Sequence, residues 1–138
     1  MPVPISVLDT GRFPRADRFP VWREALSPSH DVLLPENHDG GHFSAAARCW
    51  YLGNVLVLES RSTPQRLQRT SRTIRADQID HYIIRLQKAG TWTGEVGGQS
   101  VTATPGTVMV LDMARGSEAQ TTEIENINLL VPRDALDD

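Results

Sequence analysis

The side chains of this 138-residue chain with the most obvious chemistry are four histidines, one cysteine and a run of arginines. His38 and His42 stand at the i, i+4 spacing of a helical zinc pair. Asp39-Gly40-Gly41 between them is poor helix material, and no Glu follows His38 as a metalloprotease helix requires. The four histidines, His30, His38, His42 and His81, include no His-x-His pair, so the expectation is that no metal is bound. Cys49 sits in an alternating run at an inward position, where a thiol is usually an inert small hydrophobe. There is no Gly-x-Ser-x-Gly elbow, and spacing pairs no two carboxylates across a cleft. Gly94-x-x-Gly97-Gly98 is not a dinucleotide fingerprint and fits a hairpin turn better. No catalytic residue, cofactor or metal is assigned, and the chain is expected not to be an enzyme.

The arginines are more concentrated. Arg61, Arg66, Arg69, Arg72 and Arg75 fall within fifteen residues that contain no acid. Such a cluster can bind nucleic acid or an acidic partner. No aromatic side chain interleaves it, and the second half of the chain is acidic. A solvated connection with some ion pairing is the plainer expectation.

Polar residues inside apolar strands say more. In Ile124–Val131, Ile124, Asn126, Asn128 and Leu130 share one face, and Ile127, Leu129 and Val131 share the other. With the Asn face inward, two amides enter an apolar interior and need partners, which a ligand could supply. With it outward, Ile127, Leu129 and Val131 form the core, which is the slightly plainer arrangement. Strand 80–88 poses the same question, with Tyr82, Ile84 and Leu86 on one face and His81, Ile83, Arg85 and Gln87 on the other. Trp92 stands on the next strand. The candidate ligand-binding set is therefore Tyr82, Trp92, Asn126 and Asn128, with Arg85 as an anion partner.

These residues need a frame. Phe19, Trp22 and Leu26 mark one face of a short helix, with Asp17 as its N-cap and Pro20 in its first turn. Trp22 reads as the core anchor of that helix. From residue 31 the pattern turns to strands. Phe43, Ala45, Ala47, Cys49 and Tyr51 alternate with more polar positions, and Gly53-Asn54 links this run to Val55–Ser60 as a hairpin. Runs at Tyr82–Gln87, Thr91–Val96, Ser100–Thr104, Thr107–Asp112, Ala119–Glu123 and Ile124–Val131 follow, divided by Gly and Pro turns. Eight or nine short strands argue for two facing sheets, a jelly roll being the natural closure.

Composition limits the rest. At 138 residues and 39% hydrophobic, the chain can bury one core and is too short for a sensor with a full set of output domains. A net charge of −3, split as +3 before residue 76 and −6 from there on, gives no basic footprint for DNA. No apolar run approaches the roughly 18 residues of a membrane span. The N-terminus lacks the basic and apolar regions of a signal peptide. One cysteine excludes an internal disulfide and fits a reducing cytoplasm.

Several segments together resemble a known family. They are Phe19-x-x-Trp22-Arg23-Glu24-Ala25-Leu26, Leu52-Gly53-x-Val55-x-Val57, Pro64-Gln65-Arg66, Arg69-Thr70, Ile74-Arg75-Ala76-Asp77, Asp80-His81-Tyr82, Leu86-Gln87-x-x-Gly90, Pro105-Gly106-x-Val108-x-Val110-Leu111-Asp112 and Val131-Pro132-Arg133. In this order, from about Phe13 to Arg133, they resemble the N-terminal regulatory domain of AraC/XylS-type bacterial transcription regulators. The resemblance implies a cupin-like jelly roll that binds a small-molecule effector or forms a homodimer. It also implies helices and a helix-turn-helix DNA-binding domain beyond the point where this chain stops.

The expected division is an arm and short helix at 1–30, a jelly-roll sensor at 31–132 and the start of a truncated helix at 133–138. DNA would be contacted only through the absent C-terminal domain, and no membrane is involved. The alternatives are a stand-alone cupin-like small-molecule-binding protein and a metal-independent jelly-roll enzyme.

Overall fold

The computed structural model describes residues 5–27, 30–77 and 81–136. Eleven strands form two antiparallel sheets among them. The strands are β1 (Ile5–Asp9), β2 (Asp31–Leu33), β3 (Ala45–Leu52), β4 (Val55–Ser62), β5 (Arg66–Arg69), β6 (Tyr82–Ala89), β7 (Trp92–Val96), β8 (Gln99–Ala103), β9 (Val108–Asp112), β10 (Ser117–Thr121) and β11 (Ile124–Val131). One sheet runs β1-β3-β4-β11-β6-β9 and the other β2-β5-β10-β7-β8. After β6 the chain changes sheet for β7 and β8, returns for β9, crosses again for β10 and comes back for β11. The two sheets face each other as a jelly roll, as the strand count and turn spacing predict, and of the cupin-like kind that the resemblance implies. The helices are α1 (Arg15–Leu26), α2 (Ser71–Asp77) and α3 (Arg133–Leu136).

Local sequence explains most pairings. The two-residue Gly53-Asn54 link sets Leu52 opposite Val55, so Cys49 meets Leu58 and Ala47 meets Ser60 on the inner face. On β11 the register to β6 slips by one residue between Glu125 and Asn126. This bulge absorbs Lys88 and leaves its amine 3.5 Å from the Glu125 carboxylate outside, while Asn126 still points inward.

The core is divided. One buried cluster joins Trp22 of α1 to Val32, Phe43 and Ala45, with Phe19 and Leu26 packed against it. Phe19 meets Phe43 edge-on at 5.2 Å between centroids. The other cluster is Trp92, Ala103, Met109, Ala119 and Ile124.

Four expectations are corrected. The N-terminal arm is no separate unit, because Ile5–Asp9 pairs antiparallel with Ala46–Trp50 as an edge strand of the larger sheet. There are more strands than the eight or nine predicted. The helix begins at Arg15, not after Asp17, with Pro14 as N-cap and no side-chain cap bond, so Pro20 lies inside it. The Arg-rich stretch is not simply a solvated connection. Arg66–Arg69 is a strand between β2 and β10, because Leu67 fits between Val32 and Ala119 on the inner face. Arg69 is buried there and donates from Nε to the Met113 carbonyl at 2.8 Å, so hydrogen bonding satisfies the charge that made the segment read as solvated.

Candidate functional site

Between the two clusters lies a cavity of about 330 Å³. Its walls come from both sheets and from α1, and most of the lining is apolar, including Leu8, Leu58, Leu67, Ile83, Leu111 and Leu130. Jelly-roll geometry places them: successive strands turn alternate side chains inward, and on β4, β6 and β11 some of those inward residues are polar.

The polar groups form a connected strip across three adjacent strands. Arg85 of β6 donates from Nε to Asn128 Oδ1 at 2.5 Å. Asn128 Nδ2 donates to Asn126 Oδ1 at 2.8 Å, and Ser60 Oγ donates to the same oxygen at 2.9 Å. The register sets this up, because Arg85, Asn128 and Leu58 are cross-strand neighbours, as are Gln87, Asn126 and Ser60. Arg85 is only 9% exposed, and Asn126 and Asn128 are 5% and 3% exposed.

A guanidinium removed from water is costly unless it is paired. Arg85 has no ion pair among the described residues, and no Asp or Glu lines the cavity. Burial pulls its pKa down to about 10, which leaves it cationic at neutral pH. From the facing sheet, Trp92 also lines the cavity, and its buried Nε1 has no acceptor among the described residues.

Of the five candidates from sequence, the structure brings Arg85, Trp92, Asn126 and Asn128 to one cavity. The arrangement with Ile127, Leu129 and Val131 as the core is therefore overturned on β11 for Ile127 and Leu129, while Val131 is buried at the strand's end. Asn126 and Asn128 face inward because their cross-strand partners on β4 and β6 do, and Ile127 and Leu129 take the outer face. Tyr82 is corrected. Strand parity sets it on the face opposite Arg85, and it is absent from the cavity wall. It binds the end of the chain instead. The Arg133 guanidinium lies 4.5 Å over its ring, donates from Nη1 to the Tyr82 hydroxyl at 2.6 Å, and pairs with Asp112.

The Asp112 carboxyl is pushed up by burial, but the Ala114 N–H and the Arg133 guanidinium outweigh that and hold it below its ordinary value. A depressed carboxyl stabilises the fold above its unfolded pKa, and that contribution is lost as pH falls through the folded value. Asp112→Asn is accordingly expected to lower the melting temperature at pH 7. It should also flatten the loss of stability as pH falls below about 4. Melting curves across that range check both effects.

The cavity wall also contains residues that the sequence did not mark as a site. Trp22 is both core anchor and wall, and its Nε1 donates to Gln65 Oε1 at 3.0 Å. Gln65, His30, Ser60 and Cys49 line the space as well. Only Cys49 carried a local signal, its inward place in an alternating strand. The paired histidines have ordinary local roles: His38 Nδ1 meets the Glu36 carbonyl at 3.1 Å, and His42 Nδ1 meets Asp39 Oδ1 at 3.0 Å. Among the described residues no three of His, Cys, Asp and Glu converge on a point that could hold a metal.

Known proteins supply a frame for this geometry. A family model described as "AraC-binding-like domain" matches residues 22–138. The solved structure of the AraC-like transcriptional activator CuxR aligns with a TM-score of 0.90 at 22% identity, over 96% of this chain. The chain spans about half (49%) of that structure's length. A protein of unknown function from Rhizobium leguminosarum aligns at a TM-score of 0.50 and 17% identity, over 64% of this chain and 82% of its own. An RmlC-like cupin from Shewanella frigidimarina reaches 0.49 at 12% identity, over 77% of this chain and 87% of its own. No curated protein sequence matches.

Proposed function

The chain belongs to the AraC-binding-like domain family, and from that premise we propose that it is the effector-sensing unit of a transcription regulator. A small molecule enters the barrel and contacts apolar walls and the Arg85–Asn128–Asn126 strip. By binding one conformation better than another, it shifts what the domain presents to a helix-turn-helix DNA-binding unit carried elsewhere. The observation that carries this reading is the cavity itself, hollow and polar in the middle and walled by the two apolar clusters. A barrel serving only as scaffold gains by filling that space with its own side chains.

In this reading the unit binds its effector and does no chemistry. It works in the cytoplasm, where its DNA target lies, and as a homodimer, which sedimentation of the chain checks.

A thermal-shift screen of sugars, aromatic acids and metabolites is the direct test. Ligand at a hundred times its dissociation constant adds about 2.7 kcal/mol to the folded state, a rise of several degrees for a domain of this size. The same compound should change promoter output from a regulator carrying this domain. Failure of every compound to move the melt would leave the sensor reading without its ligand and sink it.

A further inference from the structure

We infer that the molecule held in this cavity is a carboxylate, a small monoanion with an apolar body, whose carboxyl oxygens take the terminal N–H groups of Arg85. The inference rests on the sensor reading above and specifies what that sensor recognises.

Three observations carry it. First, among the described residues Arg85 is the only Arg, Lys, Asp or Glu side chain in the cavity wall, and none of its polar contacts with them is to a carboxylate. A buried cation of this kind is destabilising when empty and is compensated by an anion entering the same low-dielectric space. Second, Asn128 holds the guanidinium through Nε alone. This leaves the two terminal nitrogens for the parallel pair of hydrogen bonds that a carboxylate makes with arginine. Asn126, itself held by the Ser60 hydroxyl, and the Leu58 carbonyl fix Asn128 in turn, so the guanidinium is oriented before any ligand arrives. Third, one cation balances one negative charge. A phosphate ester near −2 would leave an uncompensated buried charge, whereas a carboxylate is neutralised and its apolar body meets the leucine-rich walls. Trp92 Nε1, buried and lacking an acceptor among the described residues, offers the molecule a second donor from the facing sheet.

The test uses melts of the chain at pH 7.5 with millimolar octanoate, phenylacetate or benzoate, each beside its uncharged amide, and with phenyl phosphate. At least one acid should raise the melting temperature by several degrees while its amide does not. Arg85→Met should abolish that shift, and because relief of the buried cation offsets the donor lost to Asn128 Oδ1, the melting temperature of the empty protein should change little. Asn128→Asp is the sharper variant, because it is isosteric and supplies Arg85 with an internal counter-ion, with Asn126 turning its amide to donate. It should raise the melting temperature of the empty chain and weaken acid binding at least fifty-fold. Equal stabilisation by acid and amide, or a shift that survives Arg85→Met, overturns the carboxylate and leaves a sensor of neutral molecules standing. A response to phenyl phosphate but to none of the acids overturns it in favour of a phosphate. No shift with any of the three acids also overturns it, whatever a wider screen finds.

Discussion

Gly90→Ala should cost the domain about 3–5 kcal/mol, a large share of the roughly 5–15 kcal/mol that holds an ordinary domain folded. Gly90 makes the corner where the chain leaves the larger sheet after β6 and enters the smaller one at β7. Its φ is +75°, where an L side chain adds about 1–2 kcal/mol of strain. Its back lies against another crossover, between β10 and β11, and an added Cβ would stand 2.0 Å from the Glu123 carbonyl oxygen. That neighbour is backbone, tied down where Thr122 N–H meets the Thr91 carbonyl at 3.1 Å and Thr91 N–H meets Thr122 Oγ1 at 3.0 Å, so it cannot step aside. Gln87 Nε2, which donates to the Gly90 carbonyl at 3.1 Å, would be displaced as well. Gly53→Ala is the matched control. Gly53 has a φ of +68° with nothing within 4 Å of the added atom, so only about 1–2 kcal/mol of backbone strain is expected. Urea melts of the two variants separate strain from collision, and equal losses would show that the meeting of the two crossovers does not matter.

Trp22→Ala is the second large effect, expected at about 3–5 kcal/mol from the buried volume removed. Trp22 is 3% exposed, packs against Phe43 and bonds Gln65 of the β4–β5 connection, so it fastens α1 to the barrel. Because the same ring walls the cavity, its loss joins that space to the void left behind. Ligand binding should therefore fall more than stability does. Trp22→Phe keeps most of the packing and leaves Gln65 Oε1 without its donor, a loss of about 1–3 kcal/mol. Urea melts, with the dye ANS reporting exposure of the interior, check the ranking. A Trp22→Ala chain as stable as wild type would mean that α1 is held by something else.

The strands legible in the sequence were those with a clean period of two or a clean turn. Ala45–Leu52 and Val55–Ser62 announce themselves by alternation and by Gly53-Asn54, and α1 shows its buried face through Phe19, Trp22 and Leu26. Arg66–Arg69 was hidden because arginine suggests solvent, whereas its place is decided by Leu67 fitting between Val32 and Ala119, partners distant in sequence. The candidate site was legible as polar residues within apolar strands, but not as to which face turned inward. For Asn126 and Asn128 that face is set by Ser60 and Arg85 across the sheet. The same parity removes Tyr82, because the third residue along a strand from an inward arginine must point out. Trp22 and Gln65 could not be read together, since a helix and the β4–β5 connection meet only once the barrel closes.

At its β9 flank the larger sheet ends on a strand that, among the described residues, pairs only with β6. The outward side chains there, Val108 and Val110, are 62% and 64% exposed. A free backbone edge dressed in β-branched residues, with no charge or proline among its Val108–Leu111 core, is a template for intermolecular strand addition. As the chain is concentrated, its losses to precipitation will begin on that flank. A lysine placed at either valine would act as a gatekeeper there, on the side of the strand facing away from the binding cavity.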